Sequence, residues 1–215
     1  MQGLVGRLIG AWRPCARWPA RRRTVLIDCG ANVGRVLDRQ VREHPEREYF
    51  ALEANPELIP ALQAVRDRHP HSTVHILHCA AWNRDGVIPF YKSGLNSHGQ
   101  RVHDGSTALL GKSPRHPLAG VIDYEHPIEV PSLDFSAWIQ RTFSPADAIY
   151  LKMDIEGAEY VVLDKMLSDG TIDYLDEAAI EFHYSDDGRL ATLDKALHER
   201  IVAQVGARTR LVEWH

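Results

Sequence analysis

The sequence is poor in several features that would mark a function outright. It holds three cysteines, Cys15, Cys29 and Cys79, among 215 residues. So sparse and odd a set, with no Cys-x-x-Cys pair, excludes a disulfide framework or a cysteine zinc site and points to a reducing compartment, the cytoplasm. Neither sign of charge dominates: 25 Lys and Arg face 29 Asp and Glu, a net charge of −4. That excludes a global attraction to nucleic acid or to an anionic membrane. No apolar run is long enough to span a bilayer. Residues 4–12 carry Leu4, Val5, Leu8, Ile9 and Trp12 at helical spacing, but Arg7 interrupts them and no cleavage pattern follows. Packing on the domain is expected of this stretch, rather than a signal-peptide role or peripheral membrane contact. Repeats and low-complexity segments are absent. Two phosphate-binding patterns are also missing: GxxxxGK[ST], and the third glycine of GxGxxG.

What is present is alternation. Residues 24–29 form a continuous apolar run, suited to a strand buried on both faces. Val33, Val36, Leu37 and Val41 follow at helical spacing. Residues 49–52 predict a second strand closing on Glu53. Asn55 then reads as an N-cap and Pro56 as a first helical residue, opening a helix that ends near His69. Residues 73–79 predict a third strand. After a short antiparallel piece at 87–91, the pattern dissolves over residues 92–126, a stretch long enough to be functional. Residues 128–130 predict a strand, 134–141 a short helix, 148–153 a strand, and 155–167 a turn into a helix. Residues 178–182 predict a further strand, followed by a helix capped by Ser185 or Asp186 and a last strand at 208–214. Strand and helix alternating at this spacing imply an α/β domain with a mostly parallel twisted sheet and helices on both faces. One such domain spans 24–215. An N-terminal arm, 1–23, crowded with Arg13, Arg17, Arg21, Arg22 and Arg23, is expected to be solvated.

In an open parallel sheet, ligands sit beyond the carboxyl ends of the strands. Those ends carry Asp28, Glu53, Cys79 with Ala80, Asp154 with Glu156, and Glu181 with His183. The first strand runs into Gly30-Ala31-Asn32-Val33-Gly34, a turn that offers backbone N–H groups and a helix N-terminus. An acid before that turn repels phosphate and suits a sulfonium or amino group. Glu53, one βαβ step later, is placed to accept from ribose hydroxyls. These features favour S-adenosylmethionine over NAD, the donor lying between Asp28 and Glu53.

The letters also resemble a known family. Asp28-Cys29-Gly30-Ala31-Asn32-Val33-Gly34, Glu53-Ala54-Asn55-Pro56 and Lys152-Met153-Asp154-Ile155-Glu156-Gly157-Ala158-Glu159 are similar to motifs of the FkbM-type methyltransferases. The likeness extends to Gly105-Ser106-Thr107-Ala108-Leu109, Ser132-Leu133-Asp134 and Glu181-Phe182-His183, and covers residues 24–184. The resemblance implies a Rossmann-like class I methyltransferase fold. It also implies S-adenosyl-L-methionine as donor and O-methylation of a hydroxyl, often on a sugar or a polyketide-like metabolite. Asp28, Gly30, Asn32, Gly34, Glu53, Asn55, Ala80, Asn83 and Asp154 are the expected cofactor residues. The third strand departs from many methyltransferases in lacking an acid near the adenine, which leaves backbone groups or Asn83 for that task. The usual closing antiparallel hairpin is expected to be shortened, leaving an edge suited to a partner subunit in a homo-oligomer.

Methyl transfer needs a group to take the acceptor proton. Asp154 is the first candidate base, His183 the second, and Glu156 stands beside them. The same rim, as Asp154, Glu181 and His183, has the ligand chemistry of an Mg2+ or Mn2+ site. Residues 92–126 are the expected acceptor lid. There His98, His103, His116, Arg101, Lys112 and Arg115 stand with Ser106 and Thr107, a set suited to a polyhydroxylated, acidic or phosphate-bearing small molecule or glycan. Ser106, Thr107, His103 and Glu181 are the expected acceptor contacts. Three other functions compete: a non-catalytic cofactor-binding module, a nucleic-acid methyltransferase tethered by the Arg-rich arm, and an NAD-dependent oxidoreductase. The rim acids disfavour the first, the lack of an aromatic base pocket the second, and the missing third glycine the last.

Overall fold

The computed structural model describes residues 23–94, 106–109, 121–184 and 194–214. The main sheet has six strands in the order β3-β2-β1-β7-β8-β9. They are β1 (Thr24–Cys29), β2 (Glu48–Glu53), β3 (Thr73–His78), β7 (Ala148–Met153), β8 (Leu175–Ile180) and β9 (Arg210–Glu213), and every pairing among them is parallel. Helices α1 (Arg35–Glu43) and α2 (Ile59–Arg68) cover one face. Helices α3 (Phe135–Thr142), α4 (Glu159–Asp169) and α5 (Lys195–Gly206) cover the other.

Strand alternation produces the two cores. Val25, Ile27 and Cys29 of β1 point into the α3–α5 side with Leu151 and Met153 of β7. Leu26 points to the α1–α2 side with Leu37, Val41, Leu62 and Val65. Both faces of β1 are therefore apolar, which is why its sequence reads as a continuous run. Gly34 lets α1 and α2 approach: a Cβ there would lie 2.9 Å from Val65 Cγ2 and 3.0 Å from Leu62 Cδ2.

A second sheet orders β4 (Ala80–Trp82), β6 (Ile128–Asp134) and β5 (Gly86–Phe90) as β4-β6-β5. Here β5 runs antiparallel to β6 while β4 runs parallel to it. Tyr91 pairs with Thr107 and Ser93 with Ile122.

Several expectations shift. The strand expected at 178–182 is β8, which starts earlier because Thr171–Tyr174 forms a 3-10 turn that delivers Leu175 directly into the sheet. The cap expected at Ser185 or Asp186 lies outside the described residues, and α5 is capped by Asp194, whose Oδ1 accepts from Ala196 N. The last strand closes the sheet in parallel, not as a hairpin. Arg23 is no solvated arm residue: its Nε lies 2.6 Å from Glu48 Oε2, and its guanidinium sits over Phe143, 5.1 Å from the ring centre. The rest of the arm lies outside the described residues. Among those described, no helix is long and apolar enough to cross a membrane. Cys29 and Cys79 are buried free thiols, as their strand-end positions predict.

Candidate active site

Strand order reverses between β1 and β7, so the crevice of the sheet opens at their carboxyl ends. The turn after β1 is tied sideways to β2, since Gly30 N and Ala31 N both donate to Leu52 O, at 3.0 and 3.1 Å. Gly30 (φ 79°) and Asn32 (φ 51°) adopt left-handed backbone there, a conformation that glycine and asparagine tolerate best. The turn presents Asn32 N to Glu53 Oε2 at 2.8 Å, and Asn55 N donates to Glu53 Oε1 at 2.7 Å. Both oxygens of Glu53 are thus fixed by backbone. Burial raises its pKa, against the two N–H bonds that lower it. Asn55 itself caps the Pro56–Leu58 turn through Glu57 N.

Lys152 stands across from Asp28 in the β1–β7 register. Its ammonium donates to Gly30 O at 2.9 Å and lies 3.2 Å from Asp28 Oδ1 and 3.5 Å from Asp154 Oδ2. Asp28 is fully buried, and among the described residues neither of its oxygens has a hydrogen bond of good geometry. Burial raises the Asp28 pKa, opposed by Lys152. For Lys152, burial works downward, but Asp28 and then Asp154 overcome it and its pKa rises. One cation therefore fastens the glycine turn to the tip of β7.

Beyond that tip, Asp154, Glu156, Glu181 and His183 converge. His183 Nε2 lies 3.2 Å from Glu156 Oε2 and 3.9 Å from both Asp154 Oδ1 and Glu181 Oε1. Its Nδ1 lies 2.9 Å from Oε1 of the fully buried Glu159, which also accepts from Ile155 N at 2.9 Å. Burial disfavours the imidazolium, yet the bonds to Glu156 and Glu159 push its pKa up to about 11. Burial also raises Asp154 and Glu181. Glu156 has left-handed backbone (φ 59°), and Thr107 Oγ1 donates to its carbonyl at 3.0 Å, tying Thr107 to this turn.

These elements enclose a cavity of about 260 Å3. It is lined by Gly30, Asn32, Glu53, Ala54, Leu58, Cys79, Ala80 and Ala81. The lining also includes Phe90, Ser106, Ala108, Asp154, Ile155, Glu156, Ala158 and Glu181. Its charged lining is wholly acidic among the described residues. Such a wall suits a ligand with hydroxyls and positive charge.

The Methyltransferase FkbM domain matches residues 28–202. The chain belongs to the FkbM methyltransferase family. It is similar to "Methyltransferase 1" of Beauveria bassiana (strain ARSEF 2860), at 24% identity over 158 residues, 73% of this chain. It is also similar to the crystal structure of Methyltransferase FkbM from Methylobacillus flagellatus KT, at 16% identity over 88% of this chain and a TM-score of 0.47. The match spans 63% of the fungal protein and 39% of the bacterial chain.

Of the residues that the FkbM-type motifs suggest, Gly30, Asn32, Glu53, Ala80, Ser106, Asp154, Glu156 and Glu181 line the cavity. The others fall elsewhere. Asp28 lies beneath the floor under Lys152, so it does not touch a ligand as expected. Gly34 serves the α1–α2 contact, and Asn55 caps a turn. Asn83 is exposed and outside the cavity. Thr107 is buried and binds the Glu156 carbonyl rather than the cavity. His183 does not border the cavity, and its contacts with Glu156 and Glu159 favour the charged form of the ring. The carboxylate nearest its Nε2 is Glu156, so the trio able to hold a metal is Asp154, Glu156 and His183, with Glu156 in place of Glu181. His103 lies outside the described residues, as do His98, His116, Arg101, Lys112 and Arg115. The acidic lining gives no support to an acidic or phosphate-bearing acceptor.

Two functional residues escape the sequence reading. Lys152 had a signal: a lysine inside an otherwise apolar strand needs a buried partner. Glu159 had none, since an acid in the first turn of a helix is ordinary at the surface.

Proposed function

We propose that this FkbM-family domain transfers a methyl group from S-adenosylmethionine to a hydroxyl of a neutral polyhydroxylated molecule, a sugar, glycan or small metabolite. The observation that carries the reading is Glu53. Its carboxylate faces the cavity with each oxygen held by a backbone N–H, leaving lone pairs for a ribose diol. The acidic wall disfavours phosphate-bearing nucleotides and suits a donor with a positive sulfur. The donor supplies a methyl carbon on that sulfur: the acceptor oxygen bonds to it, the C–S pair returns to sulfur, and the hydroxyl proton leaves. The glycine turn and Glu53 orient the nucleoside. The rim carboxylates receive the proton, Asp154 first among them by its place beside the glycine turn. Such alignment can supply roughly 7–11 kcal/mol.

The test is transfer of labelled methyl from S-adenosylmethionine to a panel of free sugars, glycolipids and hydroxylated metabolites. At least one neutral polyol is expected to accept label, with Asp154→Asn lowering turnover about 10²–10⁴-fold. Donor uptake without transfer to any acceptor would mark a binding module instead.

A further inference from the structure

Asp154, Glu156, Glu159 and Glu181 surround the imidazole of His183. The nearby cation, Lys152, is shared with Asp28 and Gly30 O. Glu159 is fully buried, and its Oε2 has no hydrogen-bond partner among the described residues. We propose that Asp154, Glu156 and His183 bind a divalent cation of the Mg2+/Mn2+ class, with Glu159 as the buried carboxylate that orients the imidazole.

The geometry is that of a ligand set with its support behind it. One ligand atom from each of the three residues falls within 4.8 Å of the others. Metal–ligand bonds of about 2.1 Å place neighbouring donors about 3 Å apart and opposite donors about 4.2 Å apart, so the 3.2 and 3.9 Å separations at Nε2 need little adjustment. A ligating histidine commonly gives its other ring nitrogen to a carboxylate, which fixes the ring; Glu159 Oε1 does this at Nδ1, 2.9 Å away. His183 is only 6% exposed, so its ring is set by packing. Carboxylates with one imidazole favour a hard oxygen-seeking ion over a thiophilic one. Uptake of the ion releases the Nε2 proton.

Asp154 and Glu156 line the cavity, so the ion faces the acceptor. There it would act as a Lewis acid on the acceptor hydroxyl; with Asp154 engaged by the ion, the proton it would otherwise take passes to Glu181, which borders the same cavity. The site itself stands apart from the methyl-transfer reading; its role toward a hydroxyl rests on that reading.

The test is titration of the exhaustively chelated full chain with Mn2+ alone, followed by electron paramagnetic resonance. One saturable site per chain is expected, displaced by Mg2+. Glu156→Gln and His183→Asn should weaken Mn2+ at least tenfold, while Glu181→Gln retains it. Glu156→Gln keeps shape and lies at the cavity surface, so it reports even where His183→Asn fails to fold. Absence of a saturable site in the folded wild type, or equal Mn2+ affinity in Glu156→Gln, overturns the proposal. Donor uptake and turnover unchanged by chelation would overturn the ion's role toward the hydroxyl and leave the proposed function intact. Mn2+ binding without donor uptake would uphold the ion site and overturn the methyl-transfer reading.

Discussion

Replacing Lys152 by methionine is expected to destabilise the domain by about 3–5 kcal/mol, the range for removing one partner of a buried ion pair. The methionine fills similar space, so the loss is electrostatic. Asp28 would be left fully buried and without its cation, and Gly30 O would lose a donor. At roughly 2–4 °C per kcal/mol for a domain of this size, the melting temperature should fall on the order of 10 °C. Adding Asp28→Asn should recover much of the loss, because the stranded charge is what costs most. A fall below about 1 kcal/mol in the single variant, or no recovery in the double variant, would show that the pair does not hold the turn.

The second large effect is expected at Gly30. A Cβ there would lie 1.9 Å from the carbonyl oxygen of Asp154 and 3.0 Å from its carbon. Those are backbone atoms of the neighbouring strand end and cannot rotate away. The left-handed backbone adds roughly 1–2 kcal/mol to an overpacking cost of about 1–3 kcal/mol. Because the clash parts the tips of β1 and β7, Gly30→Ala should also abolish measurable donor binding. Gly34→Ala is the contrast. It meets side-chain ends of Val65 and Leu62 and lies away from the cavity. It should lower stability but leave donor affinity within a few-fold of wild type. Equal loss of affinity in both variants would mean that general loosening, not the turn, sets binding.

The alternating pattern made the sheet legible in the sequence. Buried strands such as β1 and β7 announce themselves as apolar runs, and punctuation at Asn55-Pro56 marks a helix start. The carboxyl-end rule then gathers Glu53, Asp154, Glu156 and Glu181 at one rim without coordinates. What the letters do not carry is depth. Asp28 and Glu53 are both acids at strand tips. One points to the floor beneath Lys152 and the other into the cavity, a difference set by register between strands far apart in sequence. The role of His183 likewise depends on Glu159, a fully buried residue 24 positions away at the start of α4. Segment 92–126 lacked any period because its described parts pair singly, at Tyr91 with Thr107 and Ser93 with Ile122, rather than as a ladder.

Calorimetric titration of the chain with S-adenosylhomocysteine, beside a Glu53→Gln variant, tests the account most directly. In that variant one amide N–H must face the backbone N–H of Asn32 or Asn55, donor against donor. Wild type should take up one equivalent, and Glu53→Gln should bind at least tenfold more weakly while still folded. No uptake by the folded wild type, or equal affinity in the variant, would contradict it.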